Sequence, residues 1–90
     1  MDAAAIALHL QSAPGWSLVD GAIQKHYEFT DFHHTMAFVN ALAWVAHVED
    51  HHPELQVSYK RCTVRFNTHS VAGVSINDFI CAAKADALLP

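Results

Sequence analysis

The fold is decided by residues 30–53, which read TDFHHTMAFVNALAWVAHVEDHHP. Thr30 and Asp31 provide side-chain oxygens that can cap a helix, and Pro53 can end one. Apolar residues recur between them at helical spacing: Phe32, Met36, Val39, Ala43 and Ala46, with Phe38, Leu42 and Val45 widening the stripe. The pattern predicts one long helix from Phe32 to about His51, with this stripe facing the core.

Two pairs of short strands are predicted on either side of this helix. The first pair covers 16–19 and 23–29, with a turn at Asp20-Gly21 between the strands. After the helix, apolar residues alternate with period two over 55–68, which is typical of strands. The alternation changes phase at Lys60-Arg61, and this change indicates a tight turn that divides the segment into a second hairpin.

A helix is predicted near each end of the sequence. Asp2 can cap a helix over 3–11, and Ser75 with Asp78 forms a capping box for the last helix. The predicted buried face of that last helix comprises Ile76, Phe79, Ile80, Ala83 and Ala87. The element order α-β-β-α-β-β-α predicts one α+β domain over residues 1–90, with a four-stranded antiparallel sheet and helices packed on one face.

Composition restricts the class of protein. The 90 residues carry a formal net charge of −4, so we expect no direct nucleic-acid partner. Hydrophobic residues make up 52% and charged residues 16% of the chain, and this apolar excess favours an oligomer, which we expect to be a homodimer or homotetramer. No apolar run approaches the roughly 20 residues that span a bilayer. We therefore expect no membrane segment and, without a recognisable leader sequence, a cytoplasmic location.

The eight histidines include a cluster over residues 47–52. His51 follows His47 by four residues, so on a helix their side chains would lie within about 5–6 Å. His52 precedes Pro53, which disfavours helical backbone and frees His52 to face the same cavity as His51. Two such imidazoles could act as acid and base, because histidine titrates near neutral pH. The ordinary alternative is a set of solvated residues that finish a helix.

A metal site is a rival interpretation of the same cluster. Four histidines would suffice in number for tetrahedral zinc: His47, His51, His52 and His69. The helix of zinc proteases, however, has Glu directly after its first histidine, whereas Val48 stands there in this sequence. Cys62 and Cys81 lie in apolar stretches, as is typical of buried, reduced thiols. We expect no bound metal.

Fixed intervals connect six positions over residues 51–78. His51-His52-Pro53 is followed after five residues by Tyr59, after nine more by His69, and after eight more by Asp78. This pattern resembles the signature of the pterin-4a-carbinolamine dehydratases, the 4a-hydroxytetrahydrobiopterin dehydratase family. Further segments are also similar to family members, so that the resemblance covers nearly the whole chain: Gly15-Trp16, Phe29-Thr30-Asp31-Phe32 and Ala72-Gly73-Val74-Ser75.

The resemblance implies a lyase that removes water from 4a-hydroxytetrahydrobiopterin to give quinonoid dihydrobiopterin. Such an enzyme recycles tetrahydrobiopterin for aromatic amino-acid hydroxylases, including phenylalanine hydroxylase, and the pterin is its substrate, so no separate cofactor is expected. The implied catalytic residues are His51, His52 and His69, with the division between acid and base left open. The alternative is a non-enzymatic interaction protein, because animal relatives also act as dimerisation cofactors of a homeodomain transcription factor.

The resemblance also implies a set of substrate-binding residues: Trp16, His47, Asp50, Pro53 and Asp78. Trp16 could lie along the flat pterin, and Asp50 could accept hydrogen bonds from pterin N–H groups. His47 stands where many family members carry Glu. For Asp78, the capping box already provides a structural role, which we favour over substrate contact.

Overall fold

A computed structural model of the chain describes residues 1–89. Its elements run α1 (Ala3–Leu10), β1 (Ser17–Val19), β2 (Ala22–Glu28), α2 (Phe32–Glu49), β3 (Glu54–Val57), β4 (Arg61–Phe66), a short 3-10 helix (His69–Val71) and α3 (Ile76–Asp86). This order confirms the predicted α+β fold, with the bounds of most elements shifted by only one or two residues. Among the described residues, no helix is long and apolar enough to cross a membrane.

The four strands form one antiparallel sheet in the order β1-β2-β4-β3. The two hairpins therefore meet through β2 and β4, where Ile23 pairs with Phe66 and Tyr27 pairs with Cys62. These four side chains are almost completely buried and form the centre of the core. The turn between β3 and β4 occupies residues 58–60, one step earlier than the phase change predicted.

The core-facing side of α2 confirms most of the predicted stripe: Phe38, Leu42 and Ala46 are buried, and Val39 and Val45 pack against the core. Its buried residues are Thr35, Phe38, Leu42 and Ala46. Phe32 is 48% exposed, and Ala43 is also exposed. The buried face includes Thr35, a polar residue that the pattern passed over. Its hydroxyl lies 2.9 Å from the Asp31 carbonyl oxygen and 3.0 Å from that of Tyr59, so its single proton can be shared between these two acceptors.

The end of α2 lies two residues before the predicted one. The helix ends at Glu49, and Asp50 follows in the left-handed conformation with φ of 50°. The backbone N–H of Asp50 donates to the His47 carbonyl at 3.3 Å, and that of His51 donates to the Ala46 carbonyl at 3.1 Å. These two bonds form a Schellman motif, in which Asp replaces the usual Gly. His47 and His51 are therefore not a pair on one helix.

The α3 helix begins with the predicted capping box, but its buried face is different. The buried residues are Asp78, Phe79, Cys81, Ala82 and Ala85. Ile76 and Ile80 are 47% and 43% exposed. Ala83 and Ala87 are exposed too. The small residues Ala82 and Ala85 let the helix lie close to the core, and this orientation leaves the two isoleucines outside.

Candidate functional site

A completely buried carboxylate lies in the first turn of α3. Asp78 is 0% exposed, and its Oδ2 accepts hydrogen bonds from the Ser75 backbone N–H at 2.8 Å and from the Thr68 hydroxyl at 2.9 Å. The first of these bonds belongs to the predicted capping box. The second ties the segment after β4 to the start of α3.

The other oxygen of this carboxylate binds a predicted catalytic histidine. His51 Nε2 lies 2.5 Å from Asp78 Oδ1. The His51 ring also stacks on Phe66, with 6.0 Å between ring centroids and 11° between planes, and 15% of its side chain is exposed. The Schellman motif at Asp50 directs the chain into this position. One hydrogen bond and one ring stack therefore hold His51 in place.

Backbone geometry brings the segment of His69 to the same region. Thr68, which binds Asp78, directly precedes His69. Thr68 and Gly73 form an isolated bridge, with N–H to carbonyl distances of 2.7 and 3.3 Å, and Ala72 between them has a left-handed φ of 51°. A non-glycine residue in this conformation is uncommon and is often found at functional sites. The His69 side chain is exposed, as is that of His52.

A small cleft opens beside His51. It has a volume of about 110 Å³ and is lined by Glu49, Asp50, His51, Asn77, Ile80 and Cys81. Two predicted site residues, Asp50 and His51, thus share one cavity. Cys81 forms part of its wall, and burial raises the pKa of the Cys81 thiol, which keeps it neutral. Sequence reasoning missed Asn77 and Cys81, for which the only signal was their position in the first two turns of the last helix.

Trp16 lies in the core rather than among the residues that line this cleft. It is 6% exposed, and its indole N–H donates to Asp86 Oδ2 at 3.1 Å. Asp86 is the last residue of α3, about 12 Å along the helix axis from Asp78. The ring centroid of Trp16 nevertheless lies 6.0 Å from that of Phe66, the ring on which His51 stacks. Phe66 therefore contacts both residues.

The remaining predicted binding residues, His47 and Pro53, are not among those that line the cleft. His47 is exposed on α2, with its ring centroid 5.4 Å from that of Trp44. Pro53 is half-buried and directly precedes β3. Within residues 1–89, no group of three or more His, Cys, Asp or Glu side chains is arranged to hold a metal ion.

Sequence comparison gives one family and several relatives. The family model described as pterin 4 alpha carbinolamine dehydratase matches residues 1–88. A protein from Stenotrophomonas maltophilia (strain K279a), provisionally named pterin-4-alpha-carbinolamine dehydratase, is 58% identical over 87 residues, which are 94% of this chain and 75% of that protein. A protein of the same provisional name from Nitrosomonas eutropha is 53% identical over 79 residues, which are 88% of this chain and 70% of that protein.

Structural comparison gives the same fold. A crystal structure described as a transcriptional coactivator/pterin dehydratase from Brucella melitensis matches with a TM-score of 0.95 and 33% identity, covering 100% of this chain and 98% of that one. A pterin dehydratase-like protein identified as a RuBisCO assembly factor in the alpha-carboxysome matches with a TM-score of 0.68 and 20% identity, over 81% of this chain and 84% of that one. The second likeness concerns the fold alone.

Proposed function

We propose a function from one premise: the chain belongs to the pterin 4 alpha carbinolamine dehydratase family, whose model spans residues 1–88. In this proposal the protein is a lyase that removes water from 4a-hydroxytetrahydrobiopterin and yields quinonoid dihydrobiopterin. The observation that carries the proposal is the contact between His51 and the buried carboxylate of Asp78 beside an open cleft. A buried carboxylate that orients an imidazole is a common arrangement for proton transfer.

The reaction requires two proton transfers at neighbouring atoms. The hydroxyl on C4a leaves readily only when it is protonated, and the proton on N5 must be lost for the C4a=N5 bond to form. Imidazoles suit both tasks near neutral pH, and each contribution is typically worth about 10²–10⁴-fold in rate. We assign this work to His51, His52 and His69, with no metal and no cofactor besides the pterin substrate.

Substrate binding is assigned to residues around the cleft. Asp50 lines the cleft and has an exposed side chain, so its carboxylate can accept hydrogen bonds from pterin N–H groups. His47 and Pro53 border this region in the proposal. Asp78 acts on the substrate through His51, and Trp16 supports the site from behind Phe66.

The cellular role follows from the reaction. We propose that the protein recycles tetrahydrobiopterin for an aromatic amino-acid hydroxylase such as phenylalanine hydroxylase, in the cytoplasm, as one domain over residues 1–90.

We also propose a homodimer or homotetramer. Large apolar side chains on α2 and α3 are open to solvent in the single chain, with Trp44 67%, Val48 60% and Ile80 43% exposed. The cleft, of about 110 Å³, is smaller than most ligand sites. An adjoining subunit could enlarge it.

A second candidate is a non-enzymatic interaction protein. The Brucella melitensis structure, which this chain matches over its whole length, is described as a transcriptional coactivator as well as a pterin dehydratase. Turnover separates the two functions. The purified protein, mixed with freshly generated 4a-hydroxytetrahydrobiopterin, is expected to accelerate the loss of that compound's ultraviolet absorbance over many substrate equivalents per chain. A rate equal to that of buffer alone would contradict the enzyme and favour the interaction protein.

A further inference from the structure

The carboxylate of Asp78 is the end point of a directed chain of hydrogen bonds. The Thr68 hydroxyl has one proton, which it donates to Asp78 Oδ2 at 2.9 Å. Ser75 Oγ lies 2.7 Å from Thr68 Oγ1, so the Ser75 hydroxyl must donate to Thr68 rather than accept from it. Ser75 Oγ in turn accepts from the Asn77 backbone N–H at 3.3 Å. Every proton in the chain therefore points toward the carboxylate.

The donors at Oδ2 leave the other carboxylate oxygen, Oδ1, to bind His51. Oδ2 already accepts two hydrogen bonds, one of them from the Ser75 backbone N–H, a group that can only donate. Beside an ionised Asp78, which offers only acceptors, the His51 ring donates from Nε2 to Oδ1. In the neutral imidazole the lone pair is then on Nδ1. Because Asp78 is 0% exposed, bulk water cannot replace a lost donor easily.

We infer that Thr68 is a positioning residue: through Asp78 it fixes His51 in the tautomer protonated on Nε2, which leaves Nδ1 as the base for the N5 proton. This inference rests on the proposed function. In the step, the N5–H bond breaks, the proton moves to His51 Nδ1, and the electron pair forms the C4a=N5 bond. The C4a–O bond breaks as a second imidazolium, that of His52 or His69, gives its proton to the departing oxygen. Water leaves, and no atom is oxidised or reduced.

Removal of the Thr68 hydroxyl should change the tautomer of His51, although the two side chains bind different oxygens of Asp78. Thr68→Val keeps the shape of the side chain but removes one of the two donors to Oδ2 and the acceptor of the Ser75 hydroxyl. We expect a fall in kcat on the order of 10-fold to 100-fold with KM within about threefold, because proton transfer is affected more than binding. Thr68→Ser restores the hydroxyl and should restore kcat.

The matched control is Thr63→Val. Thr63 is a mostly buried threonine whose hydroxyl also binds within the protein, because its Oγ1 lies 2.6 Å from His26 Nδ1. It lies in the middle of β4, outside the proposed site. This control variant should keep the wild-type kcat, so that a loss in Thr68→Val cannot be attributed to the removal of any buried threonine hydroxyl.

The test combines nuclear magnetic resonance with kinetics on the full chain. Long-range ¹H–¹⁵N spectra of ¹⁵N-labelled protein, recorded at alkaline pH, should show His51 with a protonated Nε2 and an unprotonated Nδ1. Thr68→Val should shift both signals toward exchange between tautomers, and Thr68→Ser should return them.

A wild-type His51 protonated on Nδ1, or unchanged signals and kcat in Thr68→Val, would overturn the inference. The wild-type spectrum decides the tautomer even if Thr68→Val fails to fold. A wild-type protein with the expected tautomer but no turnover would instead overturn the proposed function.

Discussion

His51 and Asp78 are 27 residues apart in sequence, yet His51 Nε2 lies 2.5 Å from Asp78 Oδ1. The same carboxylate completes the capping box of α3. One side chain thus joins the start of a helix to a candidate catalytic imidazole. Asp78 can therefore both cap α3 and hold His51. Measurements of stability and of activity on variants distinguish these two roles.

Asp78→Ala should lower both stability and activity. It removes a helix cap and leaves the donors of Ser75 and Thr68 without an acceptor, which should cost about 1–3 kcal/mol in the free energy of unfolding. It also releases His51, so we expect kcat to fall by about 10²-fold. Urea denaturation and turnover of 4a-hydroxytetrahydrobiopterin measure the two effects.

The control for this variant is Asp31→Ala. Asp31 caps α2 by accepting from the His34 backbone N–H at 2.8 Å, and it lies outside the cleft. This variant should lose some stability but keep the wild-type kcat. If Asp31→Ala and Asp78→Ala lowered kcat equally, the assignment of Asp78 to the site would be untenable.

Single replacements of the three histidines should reduce turnover without unfolding the protein. His51→Ala, His52→Ala and His69→Ala are each expected to lower kcat by about 10²–10⁴-fold. Circular dichroism checks that each variant is folded. His33→Ala is the matched control, because His33 is an exposed histidine on α2 and should have no effect.

Asp50 offers a way to separate backbone geometry from charge. Its left-handed φ of 50° is readily adopted by Gly and Asn, but a β-branched residue is strained there. Asp50→Val should therefore destabilise the protein by about 1–3 kcal/mol, whereas Asp50→Gly should fold normally. If the carboxylate binds the pterin, Asp50→Asn should raise KM with little change in stability. An Asp50→Asn variant with a wild-type KM would exclude this contact.

Asp86 makes stability depend on pH at the other end of α3. Burial alone would raise the pKa of Asp86, but hydrogen bonds from Lys25, Tyr27 and Trp16 outweigh it and hold this pKa below its usual value. A carboxyl group with a lowered pKa in the folded state contributes stability above its unfolded pKa, near 4, and this stability is lost as pH falls through the folded value.

The variant that tests this effect is Asp86→Asn. It should lower the free energy of unfolding by about 1–3 kcal/mol at pH 7. The gap to the wild type should shrink in urea titrations as pH falls below about 4, where the unfolded carboxyl becomes protonated, and on through the lower pKa of the folded one. A gap that stays constant down to pH 2 would mean that the charge of Asp86 does not contribute.

Oligomerisation can be tested at the exposed apolar surface of α2. The wild type is expected to sediment as a multiple of 9.9 kDa at micromolar concentration. Trp44→Glu places a charge at a side chain that is 67% exposed in the single chain and should shift the protein toward the monomer. A wild-type mass near 9.9 kDa would contradict the oligomer.

Local signals in the sequence predict much of the fold. The capping residues Asp2, Asp31 and Ser75 each begin a helix where expected, because a cap depends on neighbouring residues only. The buried faces of α2 and α3 were harder to predict. They depend on partners elsewhere in the chain, such as the Tyr59 carbonyl that accepts from Thr35.

The sequence names the residues of the candidate site but not the contacts between them. The intervals from His51 to Asp78 identify the histidines through a resemblance, and the capping box identifies Asp78. Neither signal reveals that the two side chains bind each other, because this contact requires the Schellman turn at Asp50 and the bridge between Thr68 and Gly73. Trp16 illustrates the converse: its aromatic ring suggested a pterin contact, and the structure places it in the core against Asp86.

The most direct test of the proposed reaction compares the wild type with a variant that lacks His51, His52 and His69 together. Both are mixed in a stopped-flow instrument with freshly generated 4a-hydroxytetrahydrobiopterin, and the loss of its absorbance is followed. We predict rapid turnover by the wild type and a rate close to that of buffer for the folded triple variant. A triple variant as fast as the wild type would contradict histidine acid–base catalysis at this site.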